Sequence, residues 1–296
     1  MRKISIDDRM KEFYEIRDRR FLTRRTPVII RIDGKAFHTY TKGLKKPFDE
    51  GLMEDMQLTT KYLCENIQGC KFGYVQSDEI SLLITDYDTL ATDAWFDYCQ
   101  NKMESIAASM ATAEFNRLRI LRELRNELFF NYNCGSDEKP DVRISDPNFL
   151  ETCLPVMAQF DARAFNIPKE EVTNYFLWRM NDSSKNSISM LAQSLYSHKE
   201  LQGKNGDQMQ EMCFQKGINW NSIGTSKKRG TACYKVLVEK DLTDIVPLDS
   251  LQGNPKMWYR NFGQEKPIWG IMVDAWRLDF ETPIFSQNRT LIDGII

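Results

Sequence analysis

The chain has 296 residues, of which 42% are hydrophobic and 28% are charged, a composition typical of a folded globular protein. Its net charge of −2 excludes a globally basic nucleic-acid-binding protein, so any nucleic acid has to meet a local basic patch. Two histidines and seven scattered cysteines without a C-x-x-C pair argue against a His-rich metal site, a Ser-His-Asp hydrolase and a disulfide framework.

The predicted elements of the first part of the chain alternate between strands and helices. Periodic apolar residues predict an amphipathic helix over 4–20, and a β-branched apolar run predicts a buried strand over 27–32. Next come a helix over 48–67, strands over 70–75 and 80–84 joined by a polar hairpin tip, a helix over 92–128, an exposed loop over 131–147 and a strand over 157–165. This β-α-β-β-α-β order is that of a ferredoxin-like domain, so we expect an α+β fold.

The remaining residues predict a less regular extension. A helical pattern covers about 169–195, a Gly- and Asn-rich break follows at 203–206, and the tail is mixed. No Gly/Ser-rich or Pro-rich linker separates the two parts. We therefore expect residues 167–296 to pack on residues 1–166 as a helical and β C-terminal extension.

Two acidic turns are predicted to meet. Asp33 follows the first strand, and Asp78 lies in the hairpin tip between the second and third strands. In this topology the third strand runs antiparallel between the first two, so both turns lie at one edge of the sheet. Each motif alone is also explained by an ordinary polar turn. Together they predict a magnesium site for phosphoryl transfer, since Mg²⁺ favours oxygen ligands and Gly34 allows close approach.

Separated segments of the chain resemble the signature of the tRNA-His guanylyltransferase family, the 3′–5′ polymerases, and occur in the same order. The similarity extends over about residues 10–235 and is closest to bacterial members. The segments are Arg31–His38, Lys46–Asp49, Gln76–Glu79, Phe160–Arg163, Trp178–Asn186, His198–Gly203, Gly217–Asn221 and Lys228–Thr231.

The resemblance implies a polymerase-like catalytic palm in residues 1–166 and addition of nucleotides to the 5′ end of tRNA. A nucleoside triphosphate would first activate the 5′ phosphate. ATP and GTP are the implied substrates, two Mg²⁺ ions the implied cofactors, and a homotetramer the implied assembly. Because the cysteines indicate reduced thiols, and no apolar run approaches the roughly 18 residues that span a bilayer, we expect a cytoplasmic protein without membrane contact.

The family pattern also implies site residues. Asp33, Asp78 and Glu79 would be catalytic, and Asp33, the Gly34 carbonyl and Asp78 would hold the metal ions. Nucleotide binding is implied for a larger set, in which an amide-lined turn and lysines suit phosphate: Gly34, Lys35, Ala36, Phe37, His38, Lys46, Ser77, Lys185 and Asn186.

The chain departs from the family pattern at two places. It reads Ser184-Lys185-Asn186-Ser187 where eukaryotic members read H-I-N-N, and it has Met209 near the position where they carry a lysine. We expect Lys185 to supply the missing cation. Some bacterial members repair truncated tRNA ends by templated addition. Selectivity for tRNA-His and general 5′-end repair therefore both stay open.

Several other residues have competing interpretations. Arg24, Arg25, Lys228 and Arg229 are candidates for RNA contact, although solvated surface explains them equally well. A salt bridge with Arg163 is the simpler explanation for Asp161. A core position is the more common role for the helical aromatics Tyr175, Phe176 and Trp178, and a base-stacking platform is the less common one.

Two other functions are compatible with this order of elements. A related palm could join nucleotides without RNA, as a cyclase-like enzyme does. A non-catalytic RNA-binding module has the same β-α-β-β-α-β order, but such modules carry paired aromatics on central strands. The third strand here, Ile80-Ser-Leu-Leu-Ile84, lacks them.

Overall fold

The computed structural model describes residues 4–133, 156–241, 257–260 and 268–296. The strands have these bounds: β1 Val28–Gly34, β2 Cys70–Gln76, β3 Glu79–Ile84, β4 Phe160–Asn166, β5 Thr231–Asp241, β6 Met257–Arg260 and β7 Ile268–Asp279. They form one sheet in the order β4-β1-β3-β2-β5-β7-β6, with every neighbouring pair antiparallel. The first four strands thus have the ferredoxin-like arrangement that the order of elements predicts.

Helices flank this sheet. Their bounds are α1 Ile6–Met10, α2 Phe37–Tyr40, α3 Glu50–Asn66, α4 Gln100–Asn133, α5 Val172–Leu195, α6 His198–Leu201, α7 Gly206–Gln215, α8 Thr225–Arg229 and α9 Thr290–Asp293. Short 3₁₀ segments cover Trp95–Tyr98, Lys169–Glu171 and Trp220–Ser222. No helix in the described ranges is both long and apolar enough to cross a bilayer.

The central strands are apolar on both faces because helices cover both sides of the sheet. Ile30 and Ile32 of β1 pack in one core with α3 and α4, and Ile29 packs in a second core with α5. This alternation follows from the period of two in a strand. The alternation also determines which way the side chains at the end of β1 point: Arg31 and Asp33 lie on the same face as Ile29.

The outer edge of β4 is covered by polar side chains of α4. Gln100 donates to the carbonyl oxygen of Ala164 at 3.0 Å, and Glu104 accepts from its N–H at 2.9 Å. Asn116 makes the same pair of bonds with the backbone of Ala158, just before β4, at 2.9 and 2.8 Å. These contacts satisfy backbone groups that an edge strand leaves open, and they fix β4 in place.

The C-terminal part continues the same sheet. β5 pairs with β2, β7 pairs with β5, and α5 packs across the face formed by β1, β2 and β3. The boundary predicted between residues 166 and 167 falls between β4 and α5. The two parts therefore share one sheet across that boundary.

The N-terminal helix differs from the sequence prediction. In place of one helix over 4–20, α1 is followed by a π-helical segment, Lys11–Glu15, and a 3₁₀ turn, Ile16–Asp18. The apolar side chains that suggested an amphipathic face, such as Ile6 and Phe13, are exposed. Of the predicted loop, residues 131–133 belong to α4 and residues 134–147 lie outside the described ranges.

Candidate active site

The end of β1 and the β2–β3 hairpin lie against each other at one edge of the sheet. The Gly34 N–H donates a hydrogen bond to the carbonyl oxygen of Asp78 at 3.1 Å. In the strand register, Asp33 lies directly opposite Glu79. The hairpin turn is tight, with Ser77 in the left-handed region at φ 50°, as in the two-residue turns that suit twisted strands. The two acidic turns therefore meet, as the topology predicts.

The Asp78 carboxyl is partly buried and its charge is uncompensated. Burial raises the pKa of Asp78, and the nearby charge of Asp33 adds a smaller increase, while hydrogen bonds from Ser77 and from its own N–H oppose the rise. Within the described ranges, neither Asp33 nor Asp78 takes part in a salt bridge. An edge of this kind attracts a cation.

The oxygen ligands at this edge fit Mg²⁺ better than they fit a metal whose whole coordination shell comes from the protein. No cluster of three or more His, Cys, Asp or Glu side chains in the described part of the chain is arranged to hold a metal. Mg²⁺ is usually bound through one or two carboxylates and completes its shell with water and substrate phosphates. Asp33, Asp78 and the backbone carbonyl of Gly34 suit that mode of binding.

A third acidic residue extends this edge. Asp161 of β4 lies directly opposite Asp33 in the register, so Asp161, Asp33 and Glu79 form a row across three strands. Like charges placed directly opposite each other destabilise a sheet. The salt bridge predicted between Asp161 and Arg163 is present but long, at 3.9 Å between exposed side chains. It compensates the row only weakly.

The carboxylate of Glu79 is buried and held by two guanidinium groups. Arg179 places Nε 2.6 Å from Oε1 and Nη2 2.9 Å from Oε2, and Nη2 of Arg31 lies 2.6 Å from Oε2. Burial raises the pKa of Glu79, and the two guanidinium groups oppose that rise. Asp182 also accepts from Arg179, at 2.8 Å. Glu79 therefore ties the hairpin to β1 and α5.

Neither guanidinium partner was assigned a role from the sequence. The sequence contains a signal for Arg31. This arginine lies in an apolar strand two residues before Asp33, and residues two apart in a strand lie on the same face. No comparable signal existed for Arg179, since its partner Glu79 lies 100 positions away. Only the packing of α5 on the sheet brings them together.

Gly34 has no room for a side chain. A Cβ there would lie 2.2 Å from the ring of Phe37, which packs against the Gly34 backbone. Phe37 itself is buried among Tyr40, Phe115 and Phe160. The glycine is thus required by the packing of the turn, whereas the sequence suggested close approach of a metal or phosphate as the reason.

The turn after Gly34 presents only part of its backbone to a ligand. The Gly34 amide is bonded to Asp78, and the Lys35 amide donates to the carbonyl oxygen of Gln159 at 2.8 Å. The Lys35 ammonium also donates to the Gln159 side chain, at 2.9 Å. Among the described residues, no partner is found for the amides of Ala36, Phe37 and His38. Ala36 is left-handed, at φ 52°, and is the N-cap residue of the short helix α2.

The other predicted nucleotide-binding residues lie on exposed surface. Lys46 precedes α3, and Ser77 is at the hairpin tip. Lys185 and Asn186 project from α5 between the buried Ser183 and Ser187. Ser77 lies next to Asp78 and hydrogen-bonds to it. The side chains of Lys46, Lys185 and Asn186 make no hydrogen bond with Asp33 or Asp78 within the described ranges, so a bound ligand would have to link them to the carboxylates.

Arg24 and Arg25 lie at the opposite end of β1 from Asp33. Arg24 is held by the fully buried Asp86, at 2.6 Å, and by Asp97, at 2.8 Å. Hydrogen bonding to Asp86 raises the pKa of Arg24. Arg25 has φ 57°, and its amide also donates to Asp86, at 2.8 Å. These contacts favour a structural role for Arg24 over the predicted RNA contact.

The basic run at α8 lies beside the loop that carries Lys46. Lys227 pairs with Glu50, the first residue of α3, at 2.9 Å. Lys228 donates to the carbonyl oxygen of Asn221 at 2.7 Å and lies over the ring of Trp220. Arg229 is partly buried, and its carbonyl accepts from the Tyr74 hydroxyl. The ammonium group of Lys228 remains exposed.

Known proteins share this architecture. A family model described as tRNAHis guanylyltransferase matches residues 7–168. A bacterial tRNA(His) guanylyltransferase-like protein solved in complex with ATP is 38% identical, with 99% of each chain covered and a TM-score of 0.71. A structure with the same description in complex with GTP gives 39% identity, 99% coverage of each chain and a TM-score of 0.69. A probable tRNA(His) guanylyltransferase of Drosophila melanogaster is 23% identical, over 78% of this chain and 76% of its own length. The four-stranded core is therefore a palm, and the chain belongs to the tRNA(His) guanylyltransferase family of nucleotidyltransferases.

Proposed function

We propose that this protein adds nucleotides to the 5′ end of tRNA in the 3′–5′ direction, after a nucleoside triphosphate has activated the 5′ phosphate. The contact between the Asp33–Gly34 turn and the Asp78 hairpin carries this proposal. It places two uncompensated carboxylates at one edge of a palm. Membership of the family, together with the ATP and GTP complexes of bacterial relatives, supports the substrate class.

Asp33, the Gly34 carbonyl and Asp78 would hold Mg²⁺. When bound, Mg²⁺ lowers the pKa of an attacking hydroxyl and stabilises negative charge on the phosphoryl groups. In place of the catalytic role that the resemblance implies, we assign Glu79 to holding the hairpin, because its carboxylate pairs with Arg31 and accepts a hydrogen bond from Arg179. The protein's own part is thus to hold two carboxylates in place.

The triphosphate would be bound on the α3–α4 side of this edge. The amides of Ala36, Phe37 and His38, for which the described residues supply no partner, are suited to phosphate oxygens. Lys46, Ser77, Lys185 and Asn186 would complete the nucleotide site, and Lys228 with Arg229 would contact tRNA phosphates. Assembly into a homotetramer, location in the cytoplasm and a division into a palm, 1–166, and an extension, 167–296, remain parts of the proposal.

The test is incubation with 5′-monophosphorylated tRNA, Mg²⁺ and labelled ATP or GTP, followed by mapping of the labelled end. The proposal expects label at the tRNA 5′ end. Comparison of a tRNA-His transcript with 5′-truncated tRNAs of other identities then separates guanylate addition to tRNA-His from templated repair. Turnover of triphosphate that is equally fast without RNA would overturn the proposal in favour of cyclase-like chemistry.

A further inference from the structure

An exposed tryptophan lies on α5 beside the acidic edge. Trp178 is 53% exposed, whereas its helical neighbours Tyr175 and Phe176 are 7% and 0% exposed. Large aromatic side chains are usually buried, and they are enriched where a binding partner covers them. The core interpretation of these three aromatics is therefore correct for Tyr175 and Phe176 and wrong for Trp178.

The indole of Trp178 packs against two guanidinium groups. The guanidinium carbon of Arg179 lies 4.3 Å from the ring centroid, and that of Arg31 lies 6.0 Å away. Both guanidinium groups are themselves fixed by the buried carboxylate of Glu79. The ring of Tyr175 adds an edge contact at 5.8 Å. A rigid exposed aromatic loses little conformational entropy when it binds a flat ligand.

A cationic side chain, Arg163, lies on the same face of the sheet as this aromatic. Arg163 of β4 lies directly opposite Arg31, so both point to the face on which α5 packs. Like charges in this position repel. Arg31 is compensated by Glu79, but within the described ranges the nearest carboxylate to Arg163 is Asp161, at 3.9 Å, and Arg163 is 61% exposed. A phosphate group would remove this repulsion.

Both features are close to the two carboxylates. Arg31 precedes Asp33 by two residues on the same face of β1, a distance of about 7 Å along a strand. The Gly34–His38 turn instead leads to the opposite face, where Phe37 packs against Phe115 of α4. A triphosphate in that turn and a ligand on Trp178 would therefore approach the edge from opposite sides.

We propose that Trp178 is the stacking platform for an unpaired base at the 5′ end of the tRNA and that Arg163 binds a backbone phosphate of the same strand. The inference deepens the proposed function and rests on it. An aromatic face beside a cation, repeated along one surface, is how proteins bind single-stranded nucleic acid. The location on the face opposite the triphosphate turn favours RNA over the incoming nucleotide, and the KM for triphosphate tests this choice because Lys185, assigned to the nucleotide site, lies seven residues further along α5.

The test is a binding measurement that does not require catalysis. The probe is an acceptor-stem RNA hairpin whose unpaired 5′ nucleotide is 2-aminopurine, because stacking on an aromatic ring quenches its fluorescence. We expect quenching with the wild-type protein, loss of quenching and about tenfold weaker binding for Trp178→Ala, and near-normal behaviour for Trp178→Phe. Phe214→Ala removes an aromatic of similar exposure from α7 and serves as the matched control.

Arg163→Ala tests the phosphate contact independently of Trp178, because this exposed side chain contributes little to folding. It should reduce the slope of log affinity against log salt by about one while leaving the 2-aminopurine quenched. The apparent KM for triphosphate should stay within about twofold in all these variants. The midpoint of thermal unfolding, measured for each variant, separates a binding defect from unfolding.

Several results would overturn the inference. One is equal quenching by wild type and Trp178→Ala, and another is no quenching by wild type. A rise in the KM for triphosphate with unchanged RNA binding would assign the indole to the incoming nucleotide instead. If wild type quenches the probe and Trp178→Ala does not, yet no nucleotide is added to tRNA, the stacking platform stands and the proposed function fails.

Discussion

The Glu79 carboxylate stabilises the site through buried charge pairs. Glu79 and Arg179 are both almost fully buried, and Arg31 and Asp182 complete a balanced set of two cations and two anions. Such a pair gains little over apolar packing, but removal of one member leaves a buried charge without its partner. The cluster therefore fixes the position of the hairpin more than it raises overall stability.

Arg179→Ala should lower the free energy of unfolding by about 3 kcal/mol, because Glu79 would keep only Arg31 as a partner. Denaturant unfolding of both proteins measures this change. Arg163→Ala is the control, since the salt bridge that Arg163 makes among the described residues is long and exposed, and it should change the free energy by less than about 1 kcal/mol. Equal effects of the two substitutions would show that the buried cluster has no special role.

A substitution at Gly34 tests the packing of the turn. Gly34→Ala would place a methyl group 2.2 Å from the Phe37 ring, so the turn has to shift, at a cost of about 1–3 kcal/mol. Gly206→Ala, at the start of α7, meets no atom within 4 Å and is the matched control. We expect Gly34→Ala to lower the midpoint of thermal unfolding and Gly206→Ala to leave it nearly unchanged. The reverse order would contradict this packing.

Elements whose stability is local were predictable from the sequence. The strands β1 to β4 and the helices α3 and α5 were predicted within a few residues, because each has a clear apolar period and polar turns at its ends. The helix predicted over 92–128 instead begins at Gln100 and extends to Asn133 as α4. The pairing of β5 with β2 was not predicted, since it joins residues far apart in the chain. The same limit applies to the site, where the meeting of Asp33 with Asp78 followed from topology and the contacts of Arg179 did not.

The start of α3 offers a test at the scale of an element. Asp49 caps this helix by accepting from the Leu52 N–H at 2.8 Å, and it also accepts from the Lys45 N–H at 3.2 Å. Asp49→Ala should therefore destabilise the protein by about 1 kcal/mol and raise the KM for triphosphate, because the Lys46 loop loses its anchor. Asp49→Asn should retain most of the stability and most of the affinity for triphosphate. An unchanged KM in Asp49→Ala would separate this loop from the nucleotide site.

Across the whole molecule, a net charge of −2 means that tRNA has to be bound by local clusters of cations. Lys228 lies with Lys227 beside the Lys46 loop, and Arg25 lies at the far end of β1. A tRNA held at the acidic edge should contact the first group more readily than the second. Their positions therefore favour Lys228 over Arg25 for contact with tRNA, a distinction that the sequence alone does not make.

Lys228→Ala should reduce the salt dependence of tRNA affinity by about one unit of slope, because one phosphate contact and its released counterions are lost. Arg25→Ala, which removes an exposed cation at the far end of β1, should leave the slope unchanged. Filter binding over a range of salt concentrations measures both. A larger change for Arg25→Ala would move the RNA to the opposite end of the sheet.

The central claim is that Asp33 and Asp78 together support nucleotide transfer to tRNA, and their isosteric replacement tests it most directly. Rates of labelled nucleotide addition to the tRNA 5′ end should be measured with Mg²⁺ for wild type, Asp33→Asn, Asp78→Asn and the exposed control Asp207→Asn. We predict at least a 10²-fold loss, about 3 kcal/mol of barrier, for the first two variants with unchanged thermal unfolding, and full activity for the control. Near-wild-type addition by Asp33→Asn or Asp78→Asn would contradict the account.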